Sequence, residues 1–153
     1  MDPYRPLDEN ARATARVLLT AATSGALGTL RDGAPMVTRA GCLWVAGQGM
    51  TLLLSDLSDH ARALVADPRC SLLLGEPGAK GDPLTHPRLT LVGRVETCDK
   101  DALRDRWLEA RPKATLYYDF TDFRLLRIAP TEGLLNGGFG KAYRLAPDDL
   151  AAL

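Results

Sequence analysis

Six side chains in this sequence have the types and spacing to hold an anion: Arg39, Ser55, Ser58, His60, Arg62 and Arg88. Four of them fall in one string, Ser55-Asp56-Leu57-Ser58-Asp59-His60-Ala61-Arg62, which leads out of the apolar run Thr51-Leu52-Leu53-Leu54. The run reads as a buried strand and the residues after Ser58 read as a helix. Ser58 is a good N-cap, and the first-turn amides of a helix lack internal partners, so they attract an anion with the help of the positive end of the helix dipole. His60 and Arg62 stand in that first turn, where a guanidinium can bind phosphate through two parallel N–H donors. On these residues alone, an ordinary capped surface helix with a solvated arginine accounts for the pattern equally well. Arg39 interrupts the apolar strand Val37-Thr38-Arg39-Ala40-Gly41, and Arg88 opens the alternating run Arg88-Leu89-Thr90-Leu91-Val92-Gly93-Arg94.

The elements that must position these groups follow from periodicity. Ala11, Ala15, Leu18, Leu19 and Ala22 recur at helical spacing behind Asp8, which predicts a first helix over residues 8–23 with Gly25 ending it. Strands are predicted over 26–30 and 35–45, joined by Arg31-Asp32-Gly33-Ala34, in which Asp-Gly is a strong hairpin signal. Another turn at 46–49 leads to the strand at 50–54. After the helix over 58–66, Asp67-Pro68 breaks the chain and Arg69 to Gly75 gives the next strand, followed by a Gly- and Pro-rich loop over 76–87. From Arg88 to Thr97 Leu89, Leu91, Gly93 and Val95 alternate with polar residues, as a barrel strand requires. Asp99 is a predicted cap for a helix carrying Leu103, Trp107 and Ala110, a strand is predicted from Asp122 to Ala129, and Leu134 to Leu145 reads as two apolar pieces around a glycine-rich bend. These elements make a small antiparallel barrel in one domain, residues 1–153.

Composition excludes several functions. Nineteen basic and nineteen acidic residues give a formal net charge of zero, so no long-range field favours nucleic acid or an anionic membrane. Cys42, Cys70 and Cys98 are far apart and beside apolar strand segments, which suits buried structural thiols and no Cys-x-x-Cys redox or metal site. The first six residues hold no apolar signal core, and no segment approaches the ~20 apolar residues that span a bilayer. A cytoplasmic protein is expected, with a small-molecule ligand and neither nucleic acid nor membrane as partner. His86, between Thr85 and Pro87, reads as a solvated loop histidine, and no Asp/Glu/His cluster has metal-ligand spacing. Trp44, Trp107, Phe120 and Phe123 are expected in core or dimer contacts, and Tyr117 and Tyr118 in the core.

The strings Leu-Ser-Asp-Leu-Ser-Asp-His-Ala-Arg at 54–62, Ala-Asp-Pro-Arg-Cys-Ser-Leu-Leu-Leu at 66–74, Asp-Pro-Leu-Thr-His-Pro-Arg-Leu-Thr-Leu-Val-Gly-Arg-Val at 82–95, Asp-Phe-Arg-Leu-Leu-Arg-Ile at 122–128 and Gly-Gly-Phe-Gly-Lys-Ala at 137–142 resemble the pyridoxamine 5'-phosphate oxidase-like FMN-binding split barrels. Within these they are most similar to the HugZ-type haem-utilisation branch. The resemblance implies a mainly β (α+β) fold, a six- to seven-stranded antiparallel split barrel with flanking helices. It further implies a homodimer with two FMN sites at the subunit interface. Carried onto this chain, it gives Arg39 a contact with the flavin or its phosphate, Ser55 and Ser58 phosphate donation, His60 and Arg62 the rest of the anion site, and Arg88 a place near the isoalloxazine edge. Gly138, Phe139 and Lys141 would approach the partner's flavin. The implied activity is an FMN-dependent oxidoreductase on a small substrate, the catalytic residue unassigned because the cofactor carries the redox chemistry. The Arg-x-His motif of pyridoxamine phosphate oxidases is missing from the end, Arg144-Leu145-Ala146-Pro147-Asp148-Asp149-Leu150, which disfavours vitamin B6 oxidation. HugZ-type proteins continue into a C-terminal domain whose histidine helps hold haem, whereas this sequence stops at Leu153. Haem binding or degradation, and flavin binding without turnover, are therefore the alternatives.

One consequence separates a phosphate site from a capped surface helix. If Arg62 contacts the FMN phosphate, Arg62→Ala weakens FMN by about tenfold to a hundredfold, the scale of one charge-assisted hydrogen bond. Riboflavin, lacking the phosphate, then binds both proteins equally, and calorimetric titration of both ligands reads the difference.

Overall fold

The computed structural model describes residues 1–153. Seven strands form one antiparallel sheet in the order β3-β2-β1-β4-β5-β6-β7, and β3 also pairs with β6, which closes the first six into a barrel. The strands are β1 Ser24–Arg31, β2 Ala34–Val45, β3 Gly49–Ser55, β4 Arg69–Leu74, β5 Arg88–Thr97, β6 Phe123–Asn136 and β7 Ala142–Leu145. Four helices flank them: α1 Glu9–Ala21, α2 Asp59–Ala66, α3 Arg104–Ala110 and α4 Pro147–Ala151. This is the mainly β barrel with flanking helices that the resemblance implies.

The local signals act where the sequence places them. Asp8 caps α1, its carboxylate accepting from Ala11 N–H at 2.8 Å. Asp32 and Gly33 turn β1 into β2 with φ of 51° and 79°, the left-handed pair that a two-residue hairpin needs and that Asp-Gly supplies at low cost. That turn sets the register Arg31↔Ala34 through Ala26↔Arg39 to Ser24↔Gly41.

Other boundaries move. Gly25 does not end α1; it lies inside β1, where a Cβ would come within 2.7 Å of Leu72 and 2.9 Å of the Leu73 carbonyl oxygen. Helix α3 starts at Arg104, five residues after Asp99, although the Asp99 carboxylate still accepts from Ala102 N–H at 3.0 Å. The two pieces read at 122–129 and 134–136 are one 14-residue strand, β6. Residues 123–127 pair with β3 and 133–136 with β7, while β5 pairs along 126–136. At the changeover the β5–β6 register slips between Val92 and Gly93, so that Gly93 opposes Pro130 and Val92 opposes Glu132. Such a bulge tolerates a proline, which has no N–H to give the ladder. The closing helix α4 lacks the periodicity of the longer helices and is found only in the structure.

Two apolar clusters hold the fold. The barrel interior contains Leu27, Cys42, Met50, Leu52, Leu54, Leu72, Leu74, Leu89 and Leu91, sealed by Leu19 of α1 and Leu64 of α2. A second cluster lies outside the barrel wall, where α3 and the turn at 112–116 cover Leu43, Val45, Leu53 and Leu125 with Leu103, Trp107 and Tyr118. Because β3 and β4 are separated in the sheet by β2 and β1, their connection must cross those strands; α2 makes that crossing and packs on β1.

The bulge gives a test of closure. A Cβ on Gly93 would collide with the carbonyl oxygen of Ala129 and lie 2.9 Å from Pro130 Cα, both backbone atoms that cannot move aside cheaply. Gly93→Ala should destabilise the protein by about 1–3 kcal/mol, the usual cost of overpacking, read as a lower urea midpoint with unchanged slope.

Candidate functional site

The start of α2 is organised by its own hydroxyls. Ser58 Oγ accepts from Ala61 N–H at 3.3 Å and donates to the Ser55 carbonyl at 2.6 Å, while Ser55 Oγ donates to Asp122 at 2.7 Å and accepts from Leu57 N–H at 3.2 Å. The Arg62 amide donates to the Ser58 carbonyl, which leaves the N–H groups of Asp59 and His60 without acceptors at the helix end. Asp59 itself brings a carboxylate to this turn, flanked by Arg62 at 3.3 Å and Arg31 at 3.7 Å. Arg62 also donates to the Leu57 carbonyl at 3.0 Å and is largely exposed. The native turn thus holds its own anion on its own cations, and an incoming phosphate would compete with Asp59 for both.

His60 points the other way. Its Nδ1 lies 2.7 Å from Thr38 Oγ1 on β2, and burial favours the neutral ring, lowering its pKa against the opposing pull of Asp59. Since side chains alternate along a strand, Thr38 facing α2 sends its neighbour Arg39 to the opposite face. Three predicted residues, Ser55, Ser58 and Arg62, therefore meet at one turn, whereas His60 shares its backbone but turns its ring to Thr38, and Arg39 does not join them within this chain.

Arg39 stands instead on the outer face of the sheet, exposed and with neither hydrogen bond nor ion pair. Register places Arg39, Ala26, Leu73, Thr90, Leu134 and Arg144 side by side across six strands. The neighbouring row runs Val37, Gly28, Ser71, Val92 and Glu132. Val37 is 70% exposed and Leu73 43%, so this wall offers apolar surface beside an unpaired guanidinium. Ala26, Leu73 and Thr90 were not singled out from sequence; only strand order brings them to Arg39. At the other end Arg144 is occupied by Glu132 at 3.3 Å and by the Tyr4 ring at 4.3 Å.

Arg88 begins β5 half-buried and turned back on the preceding loop, donating to the Leu84 carbonyl at 2.9 Å. Gly138 packs against that loop at Thr85, and Phe139 and Lys141 are exposed beside it. Below α2 two adjoining hollows of about 240 and 200 Å³ share Asp56, Ala61, Val65 and Arg124, with Asp56 and Arg124 ion-paired at 2.7 Å. Cys42 and Cys70 are buried thiols pushed up to about 11 by desolvation, hence protonated and unreactive near neutrality; Cys98 is half-buried. Trp107 and Tyr118 pack in the outer cluster as expected, whereas Tyr117, expected in the core, is exposed with Phe120 and stacks on Phe123 at 4.9 Å. No helix is long and apolar enough to cross a membrane.

A closed six-stranded antiparallel barrel with a helix start at its rim and a long strand shared between β3 and β7 defines the split-barrel class. Residues 11–136 match the family described as pyridoxamine 5'-phosphate oxidase, and the chain belongs to that family. It is 28% identical over 112 residues to the heme oxygenase HutZ of Vibrio cholerae, covering 67% of this chain and 62% of that protein. To the chloroplastic non-canonical heme oxygenase HOZ of Arabidopsis thaliana it is 39% identical over 84 residues, 52% of this chain and 24% of that one. A heme binding protein from Mycobacterium smegmatis superposes with a TM-score of 0.84 at 31% identity, covering 97% of this chain and 61% of that chain. The chain thus spans less than two thirds of the length of each.

The His60–Thr38 contact predicts a pH signature. Because the folded state disfavours the charged ring, the unfolded chain takes up the proton first as pH falls, and stability is lost below about pH 6.5. His60→Asn keeps a polar atom facing Thr38 but does not titrate, so its melting temperature should fall less than that of wild type between pH 7 and pH 5. Parallel curves would clear His60 of the acid limb.

Proposed function

We propose that this chain is a homodimeric haem-binding protein of the HugZ type, with the haem lying against the outer face of the sheet beside Arg39. The observation that carries this is the 31% identity, over 97% of the chain, to a protein known as a heme binding protein, together with matches to two heme oxygenases. The outer face fits the macrocycle: Val37 and Leu73 offer apolar contact, Ala26 and Gly28 let a flat ring approach the strands, and Arg39 stands free to pair with a propionate. The fit to iron is weaker. His86 has both ring nitrogens engaged, and the one imidazole nitrogen without a partner, His60 Nε2, belongs to a ring facing Thr38 across the sheet from Arg39. An iron ligand from this outer face of the chain is therefore not expected. Bound haem would supply the redox chemistry of a heme oxygenase reaction, while this chain's residues bind and orient it.

A second reading is favoured by the acceptor-free amides of Asp59 and His60. FMN would place its phosphate at the start of α2, with Ser58 ordering the turn and Arg62 exchanging Asp59 for the phosphate, in an FMN-dependent oxidoreductase acting on a small substrate. Pairing of two chains follows in either reading from the exposed apolar row, which an isologous interface would cover.

Three measurements decide. Haem titration should give a Soret band at a stoichiometry of at most one per chain, and Arg39→Ala should weaken it by about tenfold, the scale of a lost charge-assisted bond. Light scattering should report about twice the chain mass of 16.5 kDa. Quenching of FMN fluorescence with no Soret change would replace haem with flavin, and a monomer at micromolar concentration would remove the interface.

A further inference from the structure

The connection between β4 and β5, residues 75–87, is built around one imidazole. Gly78 N–H donates to His86 Nδ1 at 2.6 Å, and His86 Nε2 lies 2.9 Å from the Lys80 carbonyl oxygen. A ring nitrogen that accepts from a backbone N–H carries no hydrogen, so the hydrogen of the neutral ring is on Nε2 and is donated to Lys80. The backbone wraps closely enough that a Cβ on Gly78 would come within 3.2 Å of the ring, and Gly81 turns the chain at φ 83°. The following turn is tied down separately, by Asp82 accepting from Leu84 N–H at 2.9 Å and by Thr85 Oγ1 donating to the Asp82 carbonyl at 2.7 Å.

What the tied loop presents is a pair of carbonyls. Arg88 Nη1 donates to Leu84 O at 2.9 Å and, at 3.4 Å, to His86 O. The residue that closes the loop thus also helps to hold the guanidinium at the head of β5. The loop rests in turn on the β6–β7 bend, where Thr85 O lies 3.2 Å from the position a Gly138 Cβ would take.

We propose that His86 is a proton-released latch and the positioning residue for Arg88: the neutral ring ties Gly78 and Lys80 into a closed loop, and a second proton opens its Gly78 end. Protonation places an N–H on Nδ1 directly against the Gly78 N–H, turning a hydrogen bond into two opposed donors. The Lys80 bond survives, because Nε2 donates in both forms. Release is therefore one-sided, taking up one proton and breaking one bond. The charged groups on the surrounding elements are Glu76, Lys80 and Asp82 in the loop, Arg88 on β5 and Lys141 in the β6–β7 bend; the ring's hydrogen bonds go to backbone groups and to none of these side chains. The consequence for ligand binding rests on the reading of Arg88 as a ligand contact, whereas the latch does not.

The test uses nitrogen NMR of the His86 ring and hydrogen exchange at the Gly78 amide, corrected for the intrinsic pH dependence of exchange. Wild type should show an unprotonated Nδ1 at about pH 8, and Gly78 protection should fall by about fivefold to tenfold on moving to about pH 5, the scale of one hydrogen bond. His86→Asn, whose side-chain oxygen can stand where Nδ1 stands, should keep the protection at both pH values, and His86→Ala should lose it at both. A hydrogen on Nδ1 at pH 8, or Gly78 protection that is equal at the two pH values in wild type, would overturn the latch. For the positioning role, which rests on the place near the flavin edge that the resemblance gives Arg88, His86→Ala and Arg88→Ala should each weaken FMN at pH 8 and the double variant no further; additive losses would overturn it. Failure of wild type to bind FMN at all would defeat the flavin reading and with it the positioning role, and the NMR signature would still decide the latch.

Discussion

Everything in this structure depends on one strand serving two partners. β6 closes the barrel against β3 with its first half and carries β7 on its last residues, and the slip opposite Gly93 is what allows both. Closure leaves the six barrel strands without open edges along their paired length, and it fixes the sheet order in which β3 and β4 lie three places apart. From that order the crossing helix follows, and from the crossing helix follows the meeting of His60 with Thr38. The contact at the candidate site is thus a topological consequence before it is a chemical one.

Charge is handled locally throughout. With a net charge of zero the chain has no general attraction for anions, so any anion must be held by particular cations that are not already neutralised. Arg31 and Arg62 flank Asp59, Arg124 is paired with Asp56, Arg127 with Glu96 and Arg144 with Glu132. Arg39 has no such partner, and it sits beside apolar surface where an ion pair gains strength once a ligand excludes water. The α2 turn is the converse case, with exposed amides that are available and side chains that are already engaged.

Elements with strong periodicity or a capping residue were readable from sequence to within a residue or two: α1 behind Asp8, the hairpin at Asp32-Gly33, α2 behind Ser58, and β5 with its alternating leucines. β6 was not, because Pro130, Thr131 and Glu132 look like a break when the partner that accommodates them, Gly93, is nearly forty residues earlier in the chain. The candidate anion-site residues at 55–62 were visible because they are contiguous. Within one chain Arg39 stands apart from them, because strand alternation gives Thr38 and Arg39 to different faces. The apolar companions of Arg39 could not be seen at all: nothing in Ala26, Leu73 or Thr90 signals chemistry, and the pairings that align them belong to strand order.

The turn at Asp32-Gly33 acquires a meaning beyond local geometry. It fixes which residue of β2 faces which residue of β1, and side chains change sides with every single step along a strand. A chain with one residue more in that turn, repaired by the shortest slip of β2, would show a hydroxyl outward where this one shows a guanidinium, and would turn the cation toward the helix. Ligand preference in such a barrel can then be rewritten by a change in loop length about 6 residues away, with every side chain of the site conserved. Comparing homologues by the identity of their site residues alone would miss that difference; the spacing of the hairpin has to be read along with them.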